Sequence, residues 1–136
     1  MRYMMLIYTQ EAQGAMTDEE IEDVKERHRA VIAETAKAGI FRGAEPLQPT
    51  STATTLRVKD GQVLATDGPF AETKEQLAGY YILDCKDLDE AIYWGSKIPT
   101  LCGGRKGSLE IRPIQEVTSC AISELVEKEL AIGRRG

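Results

Sequence analysis

The strongest constraint on the fold of this chain is the stretch Asp67-Gly68-Pro69-Phe70-Ala71-Glu72-Thr73-Lys74-Glu75. Gly68 permits backbone angles that other residues avoid, and Pro69 removes a backbone donor and restricts the residue before it. The Asp67 carboxylate can accept hydrogen bonds from the amides that remain. Such a corner either fixes the path of the chain between two strands or presents side chains to a ligand.

Strand patterns lie on both sides of this corner. Before it, residues 54–58 alternate in polarity, Asp60-Gly61 is a hairpin signal, and residues 62–66 return. After it, residues 77–83 are nearly continuous in apolar and aromatic side chains, which is typical of a buried strand. The corner therefore joins a predicted hairpin to a predicted inner strand.

The N-terminal part of the chain predicts a strand and then a long helix. Residues 2–9 are rich in bulky apolar types. A capping box begins at Thr17, and Gly39 can adopt the left-handed conformation that ends a helix. We therefore predict a helix over residues 17–38, and its apolar stripe includes the single histidine, His28.

The remaining segments complete an α+β pattern. Asp87 begins a second predicted helix that Pro99 ends, and residues 108–114 alternate as a strand. Residues 46–49, with a proline at each end, are predicted to be an irregular connection, and residues 119–135 a helix. The order of elements predicts a ferredoxin-like α+β sandwich with an added β-hairpin.

Two of the predicted strands are apolar on both faces, although two helices can cover only one face of the sheet. Leaving the second face in water would forfeit several kcal/mol, at roughly 25 cal/mol per Å² of apolar surface. Either a second copy of the chain or the C-terminal helix must cover it. We favour a homodimer with twofold symmetry.

Composition and charge restrict the classes of function. A chain of 136 residues with a formal net charge of −5 predicts one domain and argues against nucleic acid as a partner. Cys85, Cys102 and Cys120 are widely spaced, which argues against a disulfide framework or zinc site and fits a cytoplasmic protein. We also predict no membrane span, no metal site and no cofactor, because no segment has the length or spacing that these require.

Three segments resemble the DGPF-domain proteins, a branch of the YCII-related group: residues 53–58 (ATTLRV), residues 67–75 (DGPFAETKE) and residues 79–81 (GYY). The resemblance covers about residues 1–117, which we interpret as the domain. Residues 118–136 are then a helical tail that packs on its own domain or on a partner subunit.

The resemblance implies a dimeric α/β barrel of the ferredoxin-like type. For YCII-type relatives it also implies an enzyme with a histidine–aspartate pair in a cleft, and some members are encoded beside sigma factors. On this basis His28 and Asp67 are the predicted catalytic pair. A histidine can exchange a proton at neutral pH, and a carboxylate can orient its ring. The alternative is a core-edge histidine with a satisfied ring and an aspartate that caps its own turn.

A second set of residues is predicted to bind substrate: Arg57, Phe70, Glu72, Lys74, Tyr81 and Arg112. A guanidinium group suits a carboxylate-bearing ligand. The charges beside the fixed corner could hold a polar molecule, and the aromatic rings could line a pocket. The alternatives are surface ion pairs, a contact within the sheet or dimer, and ordinary core packing.

These observations predict a small-molecule enzyme without a cofactor. It would carry out proton-transfer chemistry of the isomerase or lyase type, in a cleft between the first helix and the sheet. One alternative is a non-catalytic ligand-binding or regulatory module linked to a sigma factor. Another is an interaction protein whose C-terminal helix is the docking element.

Overall fold

The computed structural model describes residues 1–100, 107–116 and 121–135, without the side chains of residues 121–123 and 134–135. Its elements are β1 (Arg2–Thr9), α1 (Asp18–Lys37), β2 (Phe41–Pro46), β3 (Thr54–Lys59), β4 (Gln62–Asp67), β5 (Gln76–Asp84), α2 (Leu88–Gly95), β6 (Gly107–Pro113) and α3 (Ala121–Arg135). The predictions for Cys102 and Cys120 lie outside the described residues. None of the described helices has the length and apolar character needed to span a membrane.

Helix α1 begins and ends where its local signals predict. The Thr17 side chain accepts a hydrogen bond from the backbone of Glu20, whose side chain accepts one from the backbone of Thr17. At the other end Gly39 has a φ of 77°, and the N–H of Ile40 donates to the carbonyl of Thr35 at 3.0 Å. This is a Schellman cap, and it confirms the predicted helix.

The main sheet has four antiparallel strands in the order β2-β5-β1-β6. The sequence prediction missed β2 and was wrong to include Pro46 in an irregular connection. Residues 41–46 show no apolar alternation, and they are extended because they pair with β5, Ala44 opposite Tyr81. The α+β class is confirmed. Within the described residues this sheet does not close into a barrel.

The core lies between one face of this sheet and the helices. It consists of buried residues from the strands, the helices and the segments after β5 and α2: Tyr3, Met5, Ile7, Tyr81, Leu83, Val31, Thr35, Cys85, Ala91 and Ile98. Helix α2 packs on β6 at Gly95, where an added Cβ would lie 2.9 Å from Cδ2 of Leu109. The side chains of Leu109 and Ile111 therefore face the helices, and those of Ser108 and Glu110 point to the other side.

The second face of the sheet carries half-buried apolar side chains, as the sequence predicts: Met4, Leu6, Tyr8, Tyr80 and Ile82. We call it the helix-free face, because α1 and α2 lie on the opposite side. The side chains of residues 124–133 in α3 are exposed, including Leu125, Val126 and Leu130. Helix α3 therefore does not bury these apolar side chains against the domain.

Strands β3 and β4 form a separate two-stranded sheet. Asp60 and Gly61 have φ values of 53° and 77°, as a type I′ turn requires, so the predicted hairpin is confirmed. Both strands are exposed along nearly their whole length. The hairpin extends from the domain and does not contribute to its core.

Candidate functional site

The single histidine pairs with a tyrosine of the sheet. Nδ1 of His28 lies 2.6 Å from the hydroxyl oxygen of Tyr81, and their ring centroids are 5.7 Å apart. His28 is half-buried and lies one turn before the buried Val31 on α1, whereas Tyr81 is only 3% exposed on the helix-covered face of β5. The ring of Phe41 packs edge-on against Tyr81 at 6.4 Å. The pair is thus held at the edge of the core.

Burial keeps both members of this pair neutral. It lowers the pKa of His28 below its usual value of 6.5 and raises the pKa of Tyr81 to about 12, because a low-polarity environment disfavours each charged form. In the neutral pair, either the Tyr81 hydroxyl donates to Nδ1 or Nδ1–H donates to the phenol oxygen. A neutral imidazole fixed in this way can accept a proton from a bound molecule.

Asp67 does not contact His28 within the chain. It lies exposed at the end of β4, in the hairpin sheet and not in the sheet that carries Tyr81. Within the described part of the chain its carboxylate has no hydrogen-bond or salt-bridge partner, and burial alone shifts the pKa of His28. Tyr81 therefore occupies the position beside the imidazole that we predicted for Asp67.

The Gly-Pro corner is bound to the hairpin through its backbone. The N–H of Gly68, which has a φ of 100°, donates to the carbonyl of Ala53 at 2.7 Å. The hydroxyl of Thr55 donates to the carbonyl of Gly68 at 2.8 Å, and Nη2 of Arg57 donates to the carbonyl of Phe70 at the same distance. Arg57 therefore holds the corner, while the ring of Phe70 is 73% exposed.

A cavity of 560 Å³ lies at the end of the sheet, where β1 ends and β6 begins. It is lined by Tyr8, Gln10, the loop Thr73–Glu75 and the segment Ser108–Glu110. Tyr8, Ser108 and Glu110 follow the alternation of the helix-free face. Leu109, whose side chain faces the helices, also lines the cavity at the end of the sheet. The cavity therefore opens mainly on the side opposite to the His28–Tyr81 pair, and no residue of α1 lines it, so it is not in the predicted cleft between α1 and the sheet.

The loop beside the cavity is fixed by side-chain hydrogen bonds. The hydroxyl of Ser108 lies 3.0 and 3.1 Å from the two carboxylate oxygens of Glu75. The hydroxyl of Thr73 donates to the carbonyl of Glu75 at 2.6 Å, and the side-chain amide of Gln76 donates to the carbonyl of Thr73. Gln76 in turn accepts from the N–H of Glu11 at 2.9 Å. These bonds connect the loop to β5, β6 and the turn after β1.

The remaining predicted residues differ in their relation to this cavity. Lys74 lines it, whereas Glu72 and Arg112 are exposed elsewhere. Among the residues that the structure describes, neither the ammonium group of Lys74 nor the carboxylate of Glu110 has a hydrogen-bond or salt-bridge partner. The described residues also include no group of three or more His, Cys, Asp or Glu side chains placed to hold a metal ion.

A second groove, of 400 Å³, runs between α1 and the segment after α2. Lys97 lines it, but its ammonium group lies 3.3 Å from the carboxylate of Glu34 and 4.8 Å from the ring centre of Tyr93. The ammonium group also lies 5.1 Å from the ring centre of Trp94. Because this cation already has three partners, the groove is a weaker candidate for a ligand site than the cavity at Lys74.

Sequence reasoning named Tyr81 but missed its contact with His28, and it missed the cavity residues Tyr8, Gln10 and Ser108. The periodicities of α1 and β5 place His28 and Tyr81 on facing surfaces, which is a weak signal for their contact. No local signal indicates the bond between Ser108 and Glu75, because these residues are 33 positions apart.

Comparison with known proteins gives a family. A model described as "YCII-related domain" matches residues 1–118. A curated protein of Rhizobium meliloti (strain 1021), described as uncharacterized, is 40% identical over 115 residues, which cover 84% of this chain and 92% of the relative. The family match includes the His28–Tyr81 pair and all residues that line the cavity.

Proposed function

This chain belongs to the YCII-related family, and from that premise we propose that it is a small-molecule enzyme that works without a cofactor. Its chemistry is proton transfer of the isomerase or lyase type, with His28 as the general acid or base. The observation that carries this proposal is the 2.6 Å contact between the half-buried His28 and Tyr81.

The environment of His28 suits a general base. Its pKa is lowered by burial, so the neutral imidazole predominates at pH 7. Tyr81 occupies Nδ1 and fixes the ring, which leaves Nε2 for the reacting molecule. A role of Asp67 in the reaction at His28 stays a prediction. Its hairpin forms a sheet separate from the one that carries Tyr81.

We also propose that the chain is a homodimer with a ferredoxin-like fold, in which two helix-free faces meet and form a dimeric α/β barrel. The strand order β2-β5-β1-β6 supports this fold. Leu6 and Ile82 supply apolar surface on this face. With the twofold axis parallel to the strands, the exposed Glu45 on one edge strand would face Arg112 on the other edge strand of the partner, which supports a second copy as the partner.

The test of the enzyme proposal is deuterium incorporation. The protein is incubated in D₂O with a panel of small carboxylic acids, lactones and enol-forming ketones, and exchange at carbon is followed by NMR. We expect wild-type protein to catalyse exchange or isomerisation, and His28→Ala to lose about 100-fold or more. Lys86→Ala, an exposed change away from both candidate sites, is the matched control. Equal rates for His28→Ala and wild-type protein would refute the role of His28.

The dimer has a separate test in sedimentation velocity. Leu6→Asp places a charge in the middle of the helix-free face, and we expect it to convert a dimer to a monomer with an unchanged circular dichroism spectrum. Leu56→Asp, on the exposed hairpin, should remain dimeric. A monomeric wild-type protein would exclude the barrel.

The second candidate is a ligand-binding or regulatory module, and the position of the cavity favours it. A molecule in the cavity lies across the sheet from His28 and does not reach the imidazole. This function predicts ligand-dependent melting without turnover. For either function we propose a cytoplasmic location, where cysteines such as the buried, unpaired Cys85 remain reduced.

A further inference from the structure

The cavity on the helix-free face has a preorganised wall. Glu75 is fixed by Ser108, and Thr73 is fixed by Gln76, so the loop between them holds its shape without a ligand. Lys74 lies between these two fixed residues and lines the cavity. Because the backbone at Lys74 is already fixed, a ligand that binds there does not have to order the loop.

The charges of the cavity select one class of ligand. Lys74 is a cation and Glu110 an anion, and neither has a hydrogen-bond or salt-bridge partner within the described residues. Glu75 adds a second carboxylate, which the hydroxyl of Ser108 contacts. A simple anion could pair with Lys74 but would leave Glu110 unpaired beside it, and a simple cation could pair with Glu110 but would leave Lys74 unpaired. A molecule with one charge of each sign can satisfy both unpaired groups.

The size and the aromatic wall add a further requirement. A volume of 560 Å³ is within the range of ordinary small-molecule sites. Tyr8 lines the cavity and continues the half-buried apolar row of Met4 and Leu6 along β1. A ligand with an apolar or aromatic side chain would cover part of that surface.

We propose that this cavity binds a small zwitterion with an apolar side chain, such as a free amino acid. The ligand carboxylate binds Lys74, its ammonium group binds Glu110, and its side chain lies against Tyr8. This inference rests on the second candidate function, ligand binding, and it is independent of any reaction at His28.

The experiment is isothermal titration calorimetry of the full chain with the protein amino acids. The tightest binder is then compared with its desamino acid and its decarboxylated amine, which each keep the side chain and one charge. We expect each single-charge analogue to bind at least about tenfold more weakly, because each loses one charge-assisted hydrogen bond.

Two variants test the assignment of residues. Lys74→Gln and Glu110→Gln should each weaken binding of the amino acid by about tenfold. Lys74→Gln should then bind the amino acid about as weakly as wild-type protein binds the decarboxylated amine, and Glu110→Gln about as weakly as wild-type protein binds the desamino acid. Lys86→Gln is the matched control, since Lys86 is exposed and does not line the cavity, and it should bind like wild-type protein. Sedimentation of each variant shows whether a loss of binding follows from a change in assembly.

Three outcomes would overturn the proposal: no amino acid binds, a single-charge analogue binds as tightly as the amino acid, or Lys86→Gln weakens binding as much as Lys74→Gln. Failure of this site is therefore distinguishable from failure of the enzyme proposal, which His28→Ala tests by turnover.

Discussion

His28 allows a quantitative test of the site, because it is the single histidine in the chain. Burial lowers its pKa in the folded protein below the unfolded value of about 6.5. As the pH falls through 6.5, the unfolded state takes up a proton before the folded state does. The free energy of unfolding must therefore decrease, until the pH passes the folded pKa.

The size of this effect is limited by one proton. A single group gives a slope of at most about 1.4 kcal/mol per pH unit, and the stabilisation is fully present only above about pH 6.5. His28→Gln removes the titrating group, so its unfolding free energy should be nearly flat over the same range. Titration of Asp84 and Glu116 does not contribute to this slope. The N-terminal ammonium group lowers the pKa of Asp84 and Arg2 lowers the pKa of Glu116, so both carboxyl groups stay ionised over the pH range in which the histidine titrates.

The assay is urea unfolding in steps from about pH 7.5 to about pH 5.5. This range lies on either side of the ordinary pKa of histidine and above the ordinary pKa values of aspartate and glutamate. Protein concentration is held constant because the chain is a proposed dimer. NMR titration of the imidazole gives the folded pKa directly. Tyr81→Phe is the companion variant. It leaves Nδ1 without its 2.6 Å partner and should cost about 1–3 kcal/mol. A folded pKa at or above 6.5, or equal slopes for wild-type protein and His28→Gln, would refute the reasoning.

Three further predictions concern the scaffold of the site. Gly79→Ala should lower the free energy of unfolding by about 1–3 kcal/mol in urea, because its Cβ would lie 2.7 Å from the backbone oxygen of Glu45; wild-type stability would contradict the close approach of β2 and β5. Arg57→Ala should speed amide exchange near Phe70 while global stability changes by less than about 0.5 kcal/mol; unchanged exchange would show that the hydrogen bond does not hold the corner. Thr17→Ala should lower the melting temperature through a loss of about 1 kcal/mol, and Thr17→Ser should restore it; no change in melting would remove the capping box as a source of stability.

The parts of the fold that the sequence predicts are those with local causes. Thr17 and Gly39 set the ends of α1 through hydrogen bonds to residues three to five positions away. Asp60 and Gly61 adopt positive φ angles that few other residues accept, so their pair marks the hairpin. In each case the physical reason is complete within a few residues, and a single sequence contains it.

Strand β2 shows where local reasoning fails. Arg42, Gly43 and Pro46 give it no periodicity, and its conformation follows from pairing with residues of β5 that lie 33 to 42 positions later. The same holds for His28 and Tyr81, which are 53 positions apart. The helical and strand periods predict that both residues face the interface between α1 and the sheet. Their contact also depends on where α1 crosses the sheet, and neither period gives that position.

The prediction that β1 and β5 are apolar on both faces is confirmed. The alternation of side chains between the two faces determines how the proposed enzyme site and the proposed binding site relate. Met5 and Tyr81 face the helices, whereas Tyr8 and Glu110 face the other side. A zwitterion at Lys74 is therefore separated from the imidazole of His28 by the thickness of the sheet. If both sites act, the molecule at Lys74 cannot be the one whose proton His28 moves. It must instead change activity through the sheet or through the association of two helix-free faces, because the cavity opens on the surface that a second copy would cover.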